Sequence, residues 1–129
     1  MTNRVLGADL TVSAVGLGCM GFSHAYGAPT QRSEAVRAIR AAFDLGYTMF
    51  VTAETYGTAA DPHENEKLVG EALKDIRDQV QIVTKFGIRF DETSSAVNKP
   101  LIPDARPETI RASVEGSLQR RQTDHIDLY

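Results

Sequence analysis

Short apolar runs alternate along the chain with longer stretches in which apolar residues recur every three or four positions. The first run is Leu10 to Leu17, LTVSAVGL, after a Gly7-Ala8-Asp9 turn. Arg4 to Leu6, just before that turn, is placed to form a small hairpin with its start. Val36, Ile39 and Phe43 then lie at i, i+3 and i+7, one stripe of a helix that Ser33 is expected to cap. Gly46 falls where a left-handed C-cap is wanted. Tyr47 to Ala53, YTMFVTA, is β-branched and aromatic and predicts a buried strand. Beyond a polar loop containing Gly57, Asp61 and Pro62, the residues Leu68, Val69, Ala72, Leu73 and Ile76 give a second helix its apolar face. Val80 to Thr84 predicts a third strand, and residues 87–106 read as a long polar loop. Pro107 suits the first turn of a third helix with Ile110, Val114 and Leu118 along one side. Ile126, Leu128 and Tyr129 begin a fourth strand.

The resulting order is β-α-β-α-β-α-β over one domain, residues 1–129. Such an order implies a parallel sheet with right-handed crossovers. No internal repeat or low-complexity linker interrupts it.

Composition narrows the function classes. The net charge of −3 leaves no basic footprint for nucleic acid. The apolar runs fall far short of the roughly 20 residues that span a bilayer, so no membrane partner is expected. The N-terminal MTNRVLGADL lacks the apolar core of a signal peptide. The single cysteine, Cys19, excludes an internal disulfide framework. Together these favour a cytoplasmic location.

Gly16-Leu17-Gly18-Cys19-Met20-Gly21 spells G-x-G-x-x-G after a strand. As a dinucleotide fingerprint, that motif needs its last glycine to open a helix whose N-terminus faces a pyrophosphate. Here FSHAYGAPTQRS follows, without an apolar stripe. The segment therefore reads as a tight backbone passage beside a ligand, and a small doubly wound nucleotide-binding domain is disfavoured.

The residues that carry candidate chemistry are Tyr56 and Lys85, each at or just past the C-terminal end of a predicted strand. In a parallel α/β barrel, sites form at that end. A lysine directly after VQIVT is costly to bury without a partner. Beside a tyrosine, its charge would make the phenol a better proton donor. A core-edge tyrosine and a snorkelling lysine are the plainer alternatives. Asn65-Glu66 reads as a helix start and loop anchor, His63 as a solvated loop histidine, and His125 as strand-end decoration.

Five segments, in order, change the picture: GLGCMGFS at 16–23, TAETYG at 52–57, NEKLVGEAL at 65–73, TKFG at 84–87 and SLQRRQTDHIDLY at 117–129. Together they resemble the aldo-keto reductase family and cover nearly the whole chain. The resemblance implies a TIM-type (β/α) barrel, here its N-terminal part with about four strands and three helices. It implies NADPH bound without a Rossmann fold, and reduction of small aldehydes or ketones by hydride transfer. Tyr56 stands at the family's proton-donor position and Lys85 at the position that makes it more acidic. Cys19 and Met20 fall where family members touch the cofactor, although an inert buried thiol is the simpler reading of Cys19.

Three departures from the family pattern stand out. Val51 occupies the position of the family's aspartate, which normally pairs with the lysine. Burial without that partner would lower the pKa of Lys85 and weaken its help to Tyr56. The family's catalytic histidine follows an IDLY segment and lies outside this sequence, as do the later strands and the segment that grips the 2′-phosphate. Arg121 stands where the family usually has leucine, and it is expected to weaken the apolar stripe of the third helix. A full barrel takes about 250 residues. A partial one exposes strand edges, so impaired or absent turnover and self-association through those edges are expected. The alternative function is a non-catalytic fragment or degenerate paralogue acting as a binding or assembly module.

Overall fold

The computed structural model describes residues 1–97 and 99–129. The chain opens with an antiparallel hairpin, β1 (Asn3–Leu6) and β2 (Leu10–Ser13), turned at Gly7. The run expected as one strand from Leu10 to Leu17 is in fact two. Ser13 Oγ donates to Val15 O at 2.7 Å and accepts the Thr48 and Met49 N–H groups at 3.0 and 3.3 Å. These bonds break the run, and β3 (Leu17–Gly18) begins beyond it. A three-residue helical turn, Met20–Phe22, follows β3, and the next α-helix starts only at Arg32.

Helix α1 spans Arg32–Asp44, with Gln31 rather than Ser33 at its N-cap; the Ser33 hydroxyl instead donates to the Gln31 side chain at 3.2 Å. At its far end Gly46 has φ +93°, the left-handed conformation that glycine adopts without a Cβ penalty. Then come β4 (Met49–Val51), α2 (Glu64–Leu73), a 3-10 segment (Lys74–Gln79) and β5 (Gln81–Val83). Residues 87–106 are not a structureless loop. They contain a second antiparallel hairpin, β6 (Ile88–Phe90) with β7 (Leu101–Pro103), in which Arg89 opposes Ile102. Asp104 ties this hairpin to the following helix: it accepts from Arg106 and Arg89, which hold its carboxyl well below the usual carboxylate range. It also accepts from Thr109 Oγ1 at 3.1 Å. Helix α3 spans Pro107–Arg121, with proline in its first turn as expected.

β3, β4 and β5 form a parallel sheet in that order, registered Leu17 to Phe50 and Phe50 to Ile82. The expected fourth strand is a single parallel bridge from Val83 to Leu128, extended by Thr84 N–H donating to Leu128 O. The sheet order is thus that of consecutive strands in a (β/α) barrel. Phe50 and Ile82, both fully buried, face the helix layer and join Ile39, Leu68, Val69 and Leu73 in one core. Because side chains alternate along a strand, Met49, Val51, Val83 and Lys85 share the other face, the barrel interior.

Helix α3 departs from its expected packing. Ile110, Val114 and Leu118 are only half-buried, and the buried positions are Ser113, Ser117 and Arg121. The cause is a close crossing of α2. A Cβ on Gly70 would lie 2.6 Å from Arg121 Cα, so the two helices meet backbone to backbone, with small polar residues at the contact.

Candidate active site

Lys85 lies two residues beyond β5 and Tyr56 lies in the loop after β4, at the same end of the sheet. The structure brings them together. Lys85 Nζ donates to Tyr56 Oη at 2.9 Å and to Thr52 O at 2.8 Å, and it sits 4.5 Å from the centre of the Tyr56 ring. The ammonium occupies the phenolic oxygen as acceptor, which leaves the Tyr56 hydroxyl proton free to be donated elsewhere. Lys85 is exposed, whereas its place directly after VQIVT suggests a buried ammonium. Among the described residues no carboxylate lies within ion-pair distance of Lys85, consistent with Val51 at the position two residues before Ala53 on the face it shares with Lys85.

The loop bearing Tyr56 is clasped from the segment after β3. Ser23 Oγ donates to Tyr56 O at 2.6 Å. His24 Nδ1 lies 2.7 Å from Gly57 O; a carbonyl only accepts, so this nitrogen carries the proton. The His24 ring stacks along Tyr56, centroids 6.1 Å apart. Nothing in the sequence pattern singled out His24, which sits in a polar stretch without periodicity. A cavity of about 450 Å³ adjoins this clasp, walled by His24, Pro29, Gly57, Phe90 and Leu101.

Met20 is half-buried on the turn after β3. Cys19 lies just beyond the end of β3. Its side chain is fully buried in the core, burial pushes its thiol up to about 12, and its N–H donates to Val51 O. The burial of its thiol suits the simpler reading of Cys19, an inert buried cysteine. His63, read as solvated, is half-buried with Nδ1 bonded to Glu54 O at 2.7 Å. His125 is exposed beside Asp124.

Behind the strand ends lies a buried polar network that the residue pattern did not reveal. Glu66 is fully buried and accepts from Thr84 Oγ1 at 2.6 Å, Ser117 Oγ at 2.8 Å and Arg120 Nε at 2.6 Å. Arg120 also reaches Glu54, and Glu54 accepts from Ser113 Oγ at 2.8 Å. Arg121 Nε lies 3.8 Å from Glu66, while its two terminal nitrogens are buried with no acceptor. Burial pushes this guanidinium below its ordinary value, and Glu66 partly offsets that. The available signal was a pair of threonines ending two buried strands opposite an adjacent Asn-Glu.

The model of the aldo/keto reductase family matches residues 14–129, almost the whole chain. The chain belongs to the aldo-keto reductase family. A probable aldo-keto reductase of Glycine max is 41% identical over 119 residues, which are 92% of this chain and 32% of that protein. An aldo-keto reductase of Bacillus halodurans, solved in its holo form, superposes with a TM-score of 0.82 at 35% identity, over 100% of this chain and 39% of that one. A glycerol dehydrogenase of Gluconobacter oxydans gives 0.74 at 32% identity, over 96% and 36%. This aldo-keto reductase chain thus spans about a third of the length of the curated relative it matches, and its fold is a partial (β/α) barrel. No helix among the described residues is long and apolar enough to cross a membrane.

Proposed function

We propose that the enzyme to which this sequence belongs reduces aldehydes or ketones to alcohols, with Tyr56 giving the proton and Lys85 supporting it. The observation that carries this reading is the 2.9 Å bond from Lys85 Nζ to the phenolic oxygen at the C-terminal end of a parallel sheet. The residues present suit the nicotinamide end of NADPH. Met20 is half-buried beside the strand end, and a Cβ on Gly18 would meet no atom within 4 Å, so the surface there is open to a flat ring. They do not cradle a pyrophosphate, because Met20–Phe22 forms a three-residue turn instead of an α-helix. NADPH, when bound, supplies the hydride. Lys85 orients Tyr56 through their bond, and Thr52 O holds Lys85 in turn. As the hydroxyl proton passes to the substrate oxygen, the adjacent ammonium stabilises the charge left on the phenol.

For this chain by itself we infer impaired turnover. Val51 leaves Lys85 without its carboxylate partner, and the exposed ammonium beside the half-buried Tyr56 is open to water, which weakens electrostatic stabilisation. The same valine favours the second reading, a non-catalytic module that binds or assembles. The half-exposed Leu128 and Tyr129 at the sheet edge, 40% and 38% accessible, would support self-association there. The reading places the protein in the cytoplasm.

The test is NADPH consumption with a small aldehyde by the chain and by Tyr56→Phe, with cofactor binding followed by fluorescence. No turnover above background is expected from the chain. Robust turnover lost in Tyr56→Phe would refute the impairment, and robust turnover that survives it would refute the site.

A further inference from the structure

Asn65, in the first turn of α2, is fully buried, and both functional ends of its amide are in use. Its Nδ2 donates to Cys19 O at 2.9 Å and to Ser23 Oγ at 2.6 Å. Its Oδ1 accepts from Thr52 Oγ1 at 2.7 Å. Each partner leads to the reactive pair. Ser23 Oγ donates its own hydrogen bond to Tyr56 O, and the next residue, His24, grips Gly57 O. Thr52 supplies the carbonyl that seats Lys85 Nζ. Cys19 O marks the end of β3. One side chain on a helix therefore reaches both the loop that carries the phenol and the residue that seats the ammonium.

We propose that Asn65 is a positioning residue that sets the placement of Tyr56 relative to Lys85. The inference rests on the reading that this pair is the reactive one. The chemistry requires an amide: two donor contacts point at Cys19 O and Ser23 Oγ, while one acceptor faces the Thr52 hydroxyl. Asp has nearly the same shape but would turn an oxygen toward Cys19 O, repelling that carbonyl and leaving it only the 3.2 Å bond from Phe22 N–H. Tyr56 otherwise keeps the 3.3 Å bond from its N–H to Ala53 O, the Lys85 bond to its hydroxyl and the stacking of His24, and its neighbour Gly57 keeps the His24 contact.

The experiment is proton NMR on the chain labelled at tyrosine and lysine. It follows cross-peaks between the Tyr56 ring and the Lys85 side chain, assigned with Tyr56→Phe. Core cross-peaks between Ile39 and Val69 report folding. The unsubstituted chain should show the Tyr56–Lys85 cross-peaks. Asn65→Asp should lose them while keeping the core ones, a separation that a merely structural role would not give. Ser23→Ala should weaken them and leave Lys85 near Thr52, and it decides the matter if Asn65→Asp does not fold. Full-intensity Tyr56–Lys85 cross-peaks in folded Asn65→Asp would overturn the proposal. So would their survival in Ser23→Ala where Asn65→Asp is unfolded, or their absence from the unsubstituted chain. NADPH consumption is scored separately. Loss of the cross-peaks as expected, in a protein whose turnover ignores Tyr56, would sink the functional reading and leave the positioning role standing.

Discussion

Helix α2 meets its two neighbours in opposite ways. Toward α1 the centre of the contact is apolar: Ala35, Ile39 and Ala42 share one core with Leu68, Val69, Ala72 and Leu73, with Arg32 to Glu71 and Arg40 to Ala72 O around it. Toward α3 it is polar, built from Glu66, Ser113, Ser117, Arg120 and Arg121 around the close approach at Gly70. The first contact draws on non-directional burial, which tolerates small misfits. The second depends on pairing the buried Glu66 carboxylate with Arg120, and it fails if that carboxylate is removed. The polar contact also backs the site, because Thr84, held by Glu66, immediately precedes Lys85.

The largest expected effect lies on the polar side. Glu66→Ala leaves Arg120 and Arg121 without their shared carboxylate and should cost about 3–5 kcal/mol, measured by urea unfolding. On the apolar side, Ile39→Ala should cost about 2–5 kcal/mol without moving the Tyr56–Lys85 pair. If Glu66→Ala costs less than about 1 kcal/mol, the contrast between the two interfaces is wrong.

Arg121→Leu works in the opposite sense. It removes two buried donors that lack acceptors, while Glu66 keeps Arg120, Thr84 and Ser117. A gain of about 1–3 kcal/mol is expected, seen as a higher Tm; a lower one would show that the 3.8 Å approach to Glu66 is a needed ion pair. The smallest effect concerns pH. Burial raises the Cys19 thiol from 9.0 to about 12, so the unfolded chain loses this proton first. Its contribution to stability is fully present below pH 9 and declines from there toward pH 12. Near pH 10 the slope from this group is about 1.4 kcal/mol per pH unit. Cys19→Ala should remove that component from the alkaline limb of the stability curve.

The same contrast explains what could be read from the residues alone. The apolar face of α2 and the strands at Met49–Val51 and Gln81–Val83 follow from periodicity, because burial there is apolar. So does Gly46, whose φ of +93° only glycine adopts freely. The buried face of α3 was hidden, because Ser113, Ser117 and Arg121 look like surface residues until Glu66 is placed opposite them. The hairpin of Ile88–Phe90 with Leu101–Pro103 has strands too short to show alternation. The break after Ser13 is made by a hydroxyl serving Thr48 and Met49, 35 and 36 residues away, which no local pattern encodes. Tyr56 and Lys85 were legible through their motifs, whereas His24 and Ser23, which clasp the Tyr56 loop, were not.

The central claim is that Tyr56, Lys85 and Met20 surround the point where a nicotinamide meets its substrate. Chemical-shift mapping during NADPH titration of the isotopically labelled chain tests it most directly. The expected result is that signals of Met20, Tyr56 and Lys85 move together while those of Ser113 and Thr109 stay fixed. Shifts clustered around Ser113 and Thr109, with the Tyr56 and Lys85 signals unmoved, would contradict it.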